Sequence, residues 1–251
     1  MTANANTLGA TTRTTSDGTT APGRPTSSAA AEDARRASSR ALPVVAAAAL
    51  VAGPLLWSLG MFTSPPAESM ADADYISSLA RDTTMTQVSA LALHYGNLTI
   101  ALGVLAAPGL VRRARGAWLA VVGAVLTTIG FANVSGMVLS DWWNASAGRA
   151  LPMDQAVEVF RGVKDASLLW MWDGTEPFSL VGPLLLLAGL ARAGVLGWWT
   201  IAPFLGGVAG LMAFGAGSPV LVAVMVLVGF SPFAMVGVRL LQRSRLHGRT
   251  L

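Results

Sequence analysis

His94, Asn97 and Asn133 are the residues of this chain best placed to do chemistry. Each lies inside a long apolar run, where a polar side chain is costly unless it has a use. An imidazole carries a proton or donates to a ligand, and a carboxamide hydrogen-bonds in both directions. Depth follows from helical rise. His94 lies about 9 Å in from Val88, Asn97 about 13 Å, and Asn133 about 9 Å back from Leu139. All three therefore share one half of a bilayer. Asp141, Asp173 and Glu176 stand at the edge of the same runs. These residues predict a polar pocket: His94 as proton carrier or ligand donor, Asn97 and Asn133 as hydrogen-bond partners, Asp173 or Glu176 at the rim. The competing reading makes His94 and the asparagines interhelical glue, worth about a kcal/mol each.

Other chemistries are excluded or disfavoured. There is no cysteine, so thiolate nucleophiles, disulfides, Cys-ligated zinc and iron–sulfur clusters are ruled out. The second histidine, His247, falls beyond the last apolar run, so a bis-histidine haem has no partner for His94. No HExxH, Walker loop or dinucleotide glycine fingerprint occurs, and neither metal nor cofactor is expected. Ser231 and Ser218 precede prolines and read as local turns or back-bonds, since Ser231 lies too far in depth from His94 to share a proton with it.

What must position these residues is a set of membrane helices. A helix needs about 20 apolar residues to cross the hydrocarbon core. Six stretches qualify: 42–62, 88–111, 117–139, 178–193, 196–216 and 219–241. The fourth is short and contains Pro183; Pro54, Pro203 and Pro232 lie within other spans. Only 12% of the residues are charged, against roughly 25% in soluble chains. The expected fold is thus an all-α polytopic transmembrane bundle of about six spans. Residues 1–41, rich in Thr, Ser, Ala and Gly, read as a disordered tail, and 242–251 as a basic tail. The first run is longer than the ~7–15-residue core of a signal peptide, so cleavage is not expected.

Orientation comes from the basic residues. With both termini on one side, that side holds Arg13, Arg24, Arg35, Arg36, Arg40, Arg112, Arg113, Arg115, Arg192, Arg239, Arg243, Arg245 and Arg249. The other holds only Arg81, Arg149, Arg161 and Lys164. The positive-inside rule then places both termini in the cytoplasm of a cell membrane. The arginines gather beside apolar spans, so the +4 net charge reads as membrane anchoring and not as a nucleic-acid footprint. Tryptophans mark both interfaces: Trp118, Trp198 and Trp199 inside, Trp57, Trp142, Trp143, Trp170 and Trp172 outside.

Two long outer loops result, 63–87 and 140–177. In the first, Tyr75, Ile76 and Leu79 share a helical face. In the second, Met153, Ala156, Val157, Phe160 and Val163 recur at helical spacing opposite Asp154, Glu158, Arg161 and Lys164, an amphipathic helix lying on the outer mouth or leaflet, or more simply a connector that shields the bundle. Gly116, Ala120, Gly123, Thr127 and Gly130 form a small-residue stripe flanked by Asn133, suited to close helix approach. Gly206-x-x-x-Gly210 suits the same use, within the chain or between copies in a homo-oligomer. Gly53-Pro54-Leu55-Leu56 recurs as Gly182-Pro183-Leu184-Leu185, but the offset breaks any inverted repeat.

With six spans, a basic N-terminal segment, acidic outer loops and the Gly-Pro-Leu-Leu run in span one, the layout over 42–241 resembles the six-span integral membrane proteins common in actinobacteria. The resemblance implies a fold type and a host and carries no catalytic motif. The function expected from the residues is a small carrier, accessory subunit or sensor whose outward-facing pocket takes a small-molecule or lipid ligand from the lipid bilayer. The alternative is a membrane enzyme acting on a lipid or isoprenoid at the outer leaflet, cyclase- or transferase-like, with Glu176 or Asp173 protonating or positioning the substrate.

Overall fold

The computed structural model describes residues 27–69, 71–112, 115–215 and 218–248. Side chains of the two terminal helices are described from 41 and up to 245. By its contacts the chain divides into Met1–Ser38 and Ser39–Leu251, and the second unit carries all that follows. The described residues are mostly helical, and no strand occurs among them. The elements are α1 (Ser27–Thr63), α2 (Asp72–Arg81), α3 (Thr83–Val104), α4 (Ala117–Val138), α5 (Ser140–Ala150), α6 (Met153–Lys164), α7 (Trp170–Asp173), α8 (Phe178–Arg192), α9 (Ile201–Phe214) and α10 (Pro219–Gly248).

Five stretches are long and apolar enough to cross a membrane: Ala41–Thr63, Thr83–Leu110, Ala117–Ala150, Trp170–Arg192 and Pro219–Arg245. The run expected at 196–216 forms a shorter helix: a 3-10 turn, Trp198–Thr200, leads into α9, and together they make a 17-residue apolar segment. The tail expected over 1–41 also changes: α1 already starts at Ser27, and residues 1–26 lie outside the described residues. At the other end, α10 continues through the expected basic tail to Gly248.

Helices without a water-facing side gain little from hydrophobic burial against one another in lipid. They adhere by close backbone approach and by interhelical hydrogen bonds. Two antiparallel pairs are built this way from glycines seven residues apart. In α4 and α8, a Cβ placed on Gly123 would enter the backbone of Leu186, one on Gly130 that of Ser179, and one on Gly182 that of Thr127. A Cβ on Gly189 would come to 2.5 Å from the amide nitrogen of Ala120. Gly116, just before α4, has φ +80°, and a Cβ there would also strike the Gly189 carbonyl, so only glycine suits this corner. In α1 and α3, Gly53 faces Ile100, Gly60 faces Leu93, Gly96 faces Trp57 and Gly103 faces Leu50. Of the expected Gly206-x-x-x-Gly210 pair, Gly210 makes a close contact and Gly206 does not, its place being taken by Gly207. Gly206 meets nothing, whereas Gly207 lies on the backbone of Gly229 in α10 and Gly210 on Met225.

Both segments expected as outer loops are largely helical. Asp82 caps α3, its carboxylate accepting from the amides of Thr84 and Met85 at 3.1 and 3.0 Å. α2, α5 and α6 pack as a small cap around Ile76, Ala145 and Ala156, all buried. Tyr75 donates to the Asp141 carboxylate and lies 5.7 Å from the ring of Phe160. Burial, reinforced by the Asp141 charge, pushes the Tyr75 phenol well above its ordinary range, so it stays a donor. On the surface, Asp72 pairs with Arg161 at 2.8 Å and with Lys164 at 3.6 Å. The Arg161 guanidinium holds the Asp72 carboxyl below its ordinary value. This clamp is complete above the usual carboxylate pKa and is lost only as pH falls through the lower, folded one. α6 turns Ala156 inward, while Val163 of the expected apolar face is exposed together with Val159.

Candidate functional site

A cavity of about 400 Å³ lies among α1, α3, α4, α8, α9 and α10. That is within the usual 300–1,000 Å³ range for small-molecule sites. Its deep wall is aromatic. Phe230 stands edge-on to Trp57 at 5.3 Å and stacks on Phe204 at 6.2 Å, with Phe131 5.7 Å away. The near wall is Val208, Leu211 and Met212 of α9 facing Leu180 of α8. Met212 and Leu180 line the cavity and are also exposed on the outside of the bundle. The space therefore reaches the surface between α8 and α9, near the ends of those helices that adjoin Glu176 and Gly215.

Polar groups enter this apolar space at two levels. Asn97 is fully buried at its deep end. Its Oδ1 accepts from Trp57 Nε1 at 3.0 Å, and its Nδ2 donates to the Leu93 carbonyl at 2.8 Å. A carboxamide has a second proton and a second lone pair beyond these two bonds. At the mouth stand Asp173, half-buried, and Glu176, exposed. No side-chain hydrogen bond or ion pair engages either carboxylate among the described residues. Thus three of the five residues singled out in the sequence, Asn97, Asp173 and Glu176, line one space.

His94 and Asn133 do not line it. His94 is half-buried against α4, its Nδ1 paired with Ser135 Oγ at 2.7 Å and with the Ser135 carbonyl at 3.1 Å. The depth comparison put His94 and Asn97 together, but three residues along a helix turn the side chain by 300°, about 60° apart in projection. That difference aims His94 at α4 and Asn97 at α1 and the cavity. His94 is the interhelical bond that the alternative reading foresaw.

Asn133 holds the mouth from behind. Its Nδ2 donates to Thr175 Oγ1, and its backbone carbonyl accepts from Trp172 Nε1 at 3.2 Å. Thr175 Oγ1 in turn donates to the Trp172 carbonyl at 2.7 Å. These bonds fasten to α4 the turn that presents Asp173 and Glu176, so Asn133 is a positioning residue.

Trp57, expected in the outer aromatic belt, is instead 7% exposed and forms part of the cavity wall. Trp118, Trp143, Trp170, Trp172, Trp198 and Trp199 are exposed, as interfacial indoles would be. The phenylalanines of the deep wall escaped sequence reasoning; Phe230 and Phe233, three apart in a uniformly apolar span, were the available signal. Ser231 bonds its own helix at the Val228 carbonyl, 2.7 Å away, and Ser218 accepts from the Leu221 amide at 3.4 Å, both local as expected. Among the described residues no group of three His, Asp or Glu converges as metal ligands would. Comparison with protein-family models, curated proteins and solved structures gives no match.

Proposed function

We propose that this chain is a six-span membrane protein with both termini in the cytoplasm. Its outward-facing cavity holds a small amphiphile or lipid, in the service of a carrier, an accessory subunit or a sensor. The observation that carries the reading is the joining of Asn97, Asp173 and Glu176 in one apolar chamber of about 400 Å³. Such a space suits a ligand with an apolar body, one deep hydrogen-bonding group and a polar head at the rim. The exposed Leu180 and Met212 suit entry from the surrounding lipid.

The sixth span is α9 with its leading turn. Fourteen helical residues rise about 21 Å and the 3-10 turn adds about 6 Å, close to the ~30 Å hydrocarbon core. Its packing on α10 through Gly207 and Gly229 supports counting it within the bundle. The thirteen-to-four distribution of basic residues over six spans supports cytoplasmic termini.

An enzyme of lipids or isoprenoids at the outer leaflet is the second reading, and the Asp173–Glu176 pair at the mouth is what favours it. A general acid poised for such work is usually held in an apolar pocket that raises its pKa. Glu176 is exposed and Asp173 half-buried, which favours recognition over acid catalysis.

The chain has no native cysteine, which makes a direct test simple. Val134→Cys places one thiol on the cavity wall. A small membrane-impermeant thiol reagent added to intact cells should modify it, and Val208→Trp, which fills the cavity, should protect it. Modification only after permeabilisation, or undiminished modification with Val208→Trp, would contradict an outward-open chamber.

A further inference from the structure

The bundle has a second hollow, of about 280 Å³, at the end away from Asp173 and Glu176. It lies where the chain leaves α3, where α8 turns toward α9, and along the last turns of α10. Arg112, Arg239 and Arg243 line it, and no Asp or Glu is among its described lining residues. Arg243 Nη1 donates to the Gly109 carbonyl, and Arg239 Nη1 donates to Gln242 Oε1 at 3.2 Å, which steadies two guanidinium groups at the hollow's edge. The positive-inside rule accounts for arginines on this side of the membrane. It does not account for Arg112 meeting Arg239 and Arg243, from two distant parts of the chain, around one hollow.

The hollow has a built-in depth marker. Trp198 and Trp199, 60% and 61% exposed, project at the same end of the bundle, where indoles mark headgroup level. Beside the arginines, Leu110 and Val195 supply apolar lining. A guanidinium fork matches phosphate oxygens two at a time and loses little hydration in doing so.

We propose that this hollow binds the phosphate of an anionic phospholipid, with the first acyl carbons against Leu110 and Val195. The inference rests on the chain spanning a bilayer and is independent of the cavity's ligand. The lipid would tie the segment after α3 to α10 through Arg112 and Arg239.

The test uses the full chain in nanodiscs made with phosphatidylglycerol or phosphatidylcholine, with retained lipid counted by native mass spectrometry. Phosphatidylglycerol should be retained selectively. Arg112→Gln and Arg239→Gln should each lower its occupancy about fivefold, whereas Arg245→Gln, on the same helix but outside the hollow, should change it less than about twofold. Arg112→Lys keeps the charge without the fork and should fall between; it decides the matter if Arg112→Gln fails to fold. Equal retention of the two lipids, or an equal loss with Arg245→Gln, would overturn the site. Displacement of the lipid by free inorganic phosphate would overturn the lipid assignment in favour of a soluble anion.

Discussion

Gly123→Leu is expected to abolish folded protein. The α4–α8 pair has no space for a side chain at this point, because a Cβ on Gly123 would already intrude on the Leu186 backbone and an isobutyl group would force the helices apart. Overpacking a core costs about 1–3 kcal/mol when neighbouring side chains can yield, and more when they cannot. Here the obstructing atoms are main chain within a regular helix. Separating α4 from α8 would also pull the Asp173–Glu176 turn from Asn133, since Thr175 and Trp172 bond α4 almost three turns further on. Gly206→Ala is the matched control: the same residue type in an apolar helix, with no neighbouring element within 4 Å of its new Cβ. It should be neutral or slightly stabilising, because alanine loses less backbone entropy than glycine. Size-exclusion profile and thermal midpoint in mild detergent read both. A monodisperse Gly123→Leu protein with wild-type stability would show that α4 and α8 do not pack in this register.

Trp57→Ala is expected to destabilise the bundle by about 3–5 kcal/mol, the range for deleting a buried aromatic side chain. Trp57 is 7% exposed, packs edge-on against Phe230, backs Gly96 and donates to Asn97. Trp57→Phe separates these contributions. It keeps an aromatic ring but leaves the Asn97 Oδ1 without its donor, which should cost about 1–3 kcal/mol. Reversible unfolding by SDS titration measures both changes. Equal, small losses would mean that Trp57 lies in lipid, as the interfacial-belt reading of the sequence supposed.

Much of the fold is legible in residue order because membrane helices follow simple rules. Length and hydropathy located the apolar segments, and glycines seven apart in 116–130 marked a surface of close approach. What residue order hid was the identity of the partners. Gly182 and Gly189 are the mates of that stripe, yet in the sequence Gly182 stood out only for a Gly-Pro-Leu-Leu echo of span one. Antiparallel register is a property of two helices and appears in neither alone.

The site divides in the same way. Rise along the axis compares the depths of His94, Asn97 and Asn133, but rotation about the axis decides which neighbour each meets. His94 turned to Ser135, and Asn133 turned to the loop that carries the acids. Asn97 alone of the three reached the cavity. Trp57 was misread because indoles so often mark the interface, and only the burial of its ring against Phe230 and Gly96 shows that it is structural. α9 is too short for a composition rule to accept it as a span by itself. Its standing depends on the Gly207–Gly229 contact with α10.

The most direct test of a six-span bundle with its cavity facing outward is the sidedness of two single thiols. Ser167→Cys lies in the segment between α6 and α7, and Ser244→Cys lies near the end of α10. In intact cells a membrane-impermeant maleimide should label Ser167→Cys and leave Ser244→Cys untouched until the membrane is opened. If α9 fails to cross, the end of α10 changes sides, and Ser244→Cys would then be labelled from outside along with Ser167→Cys, which would contradict the account.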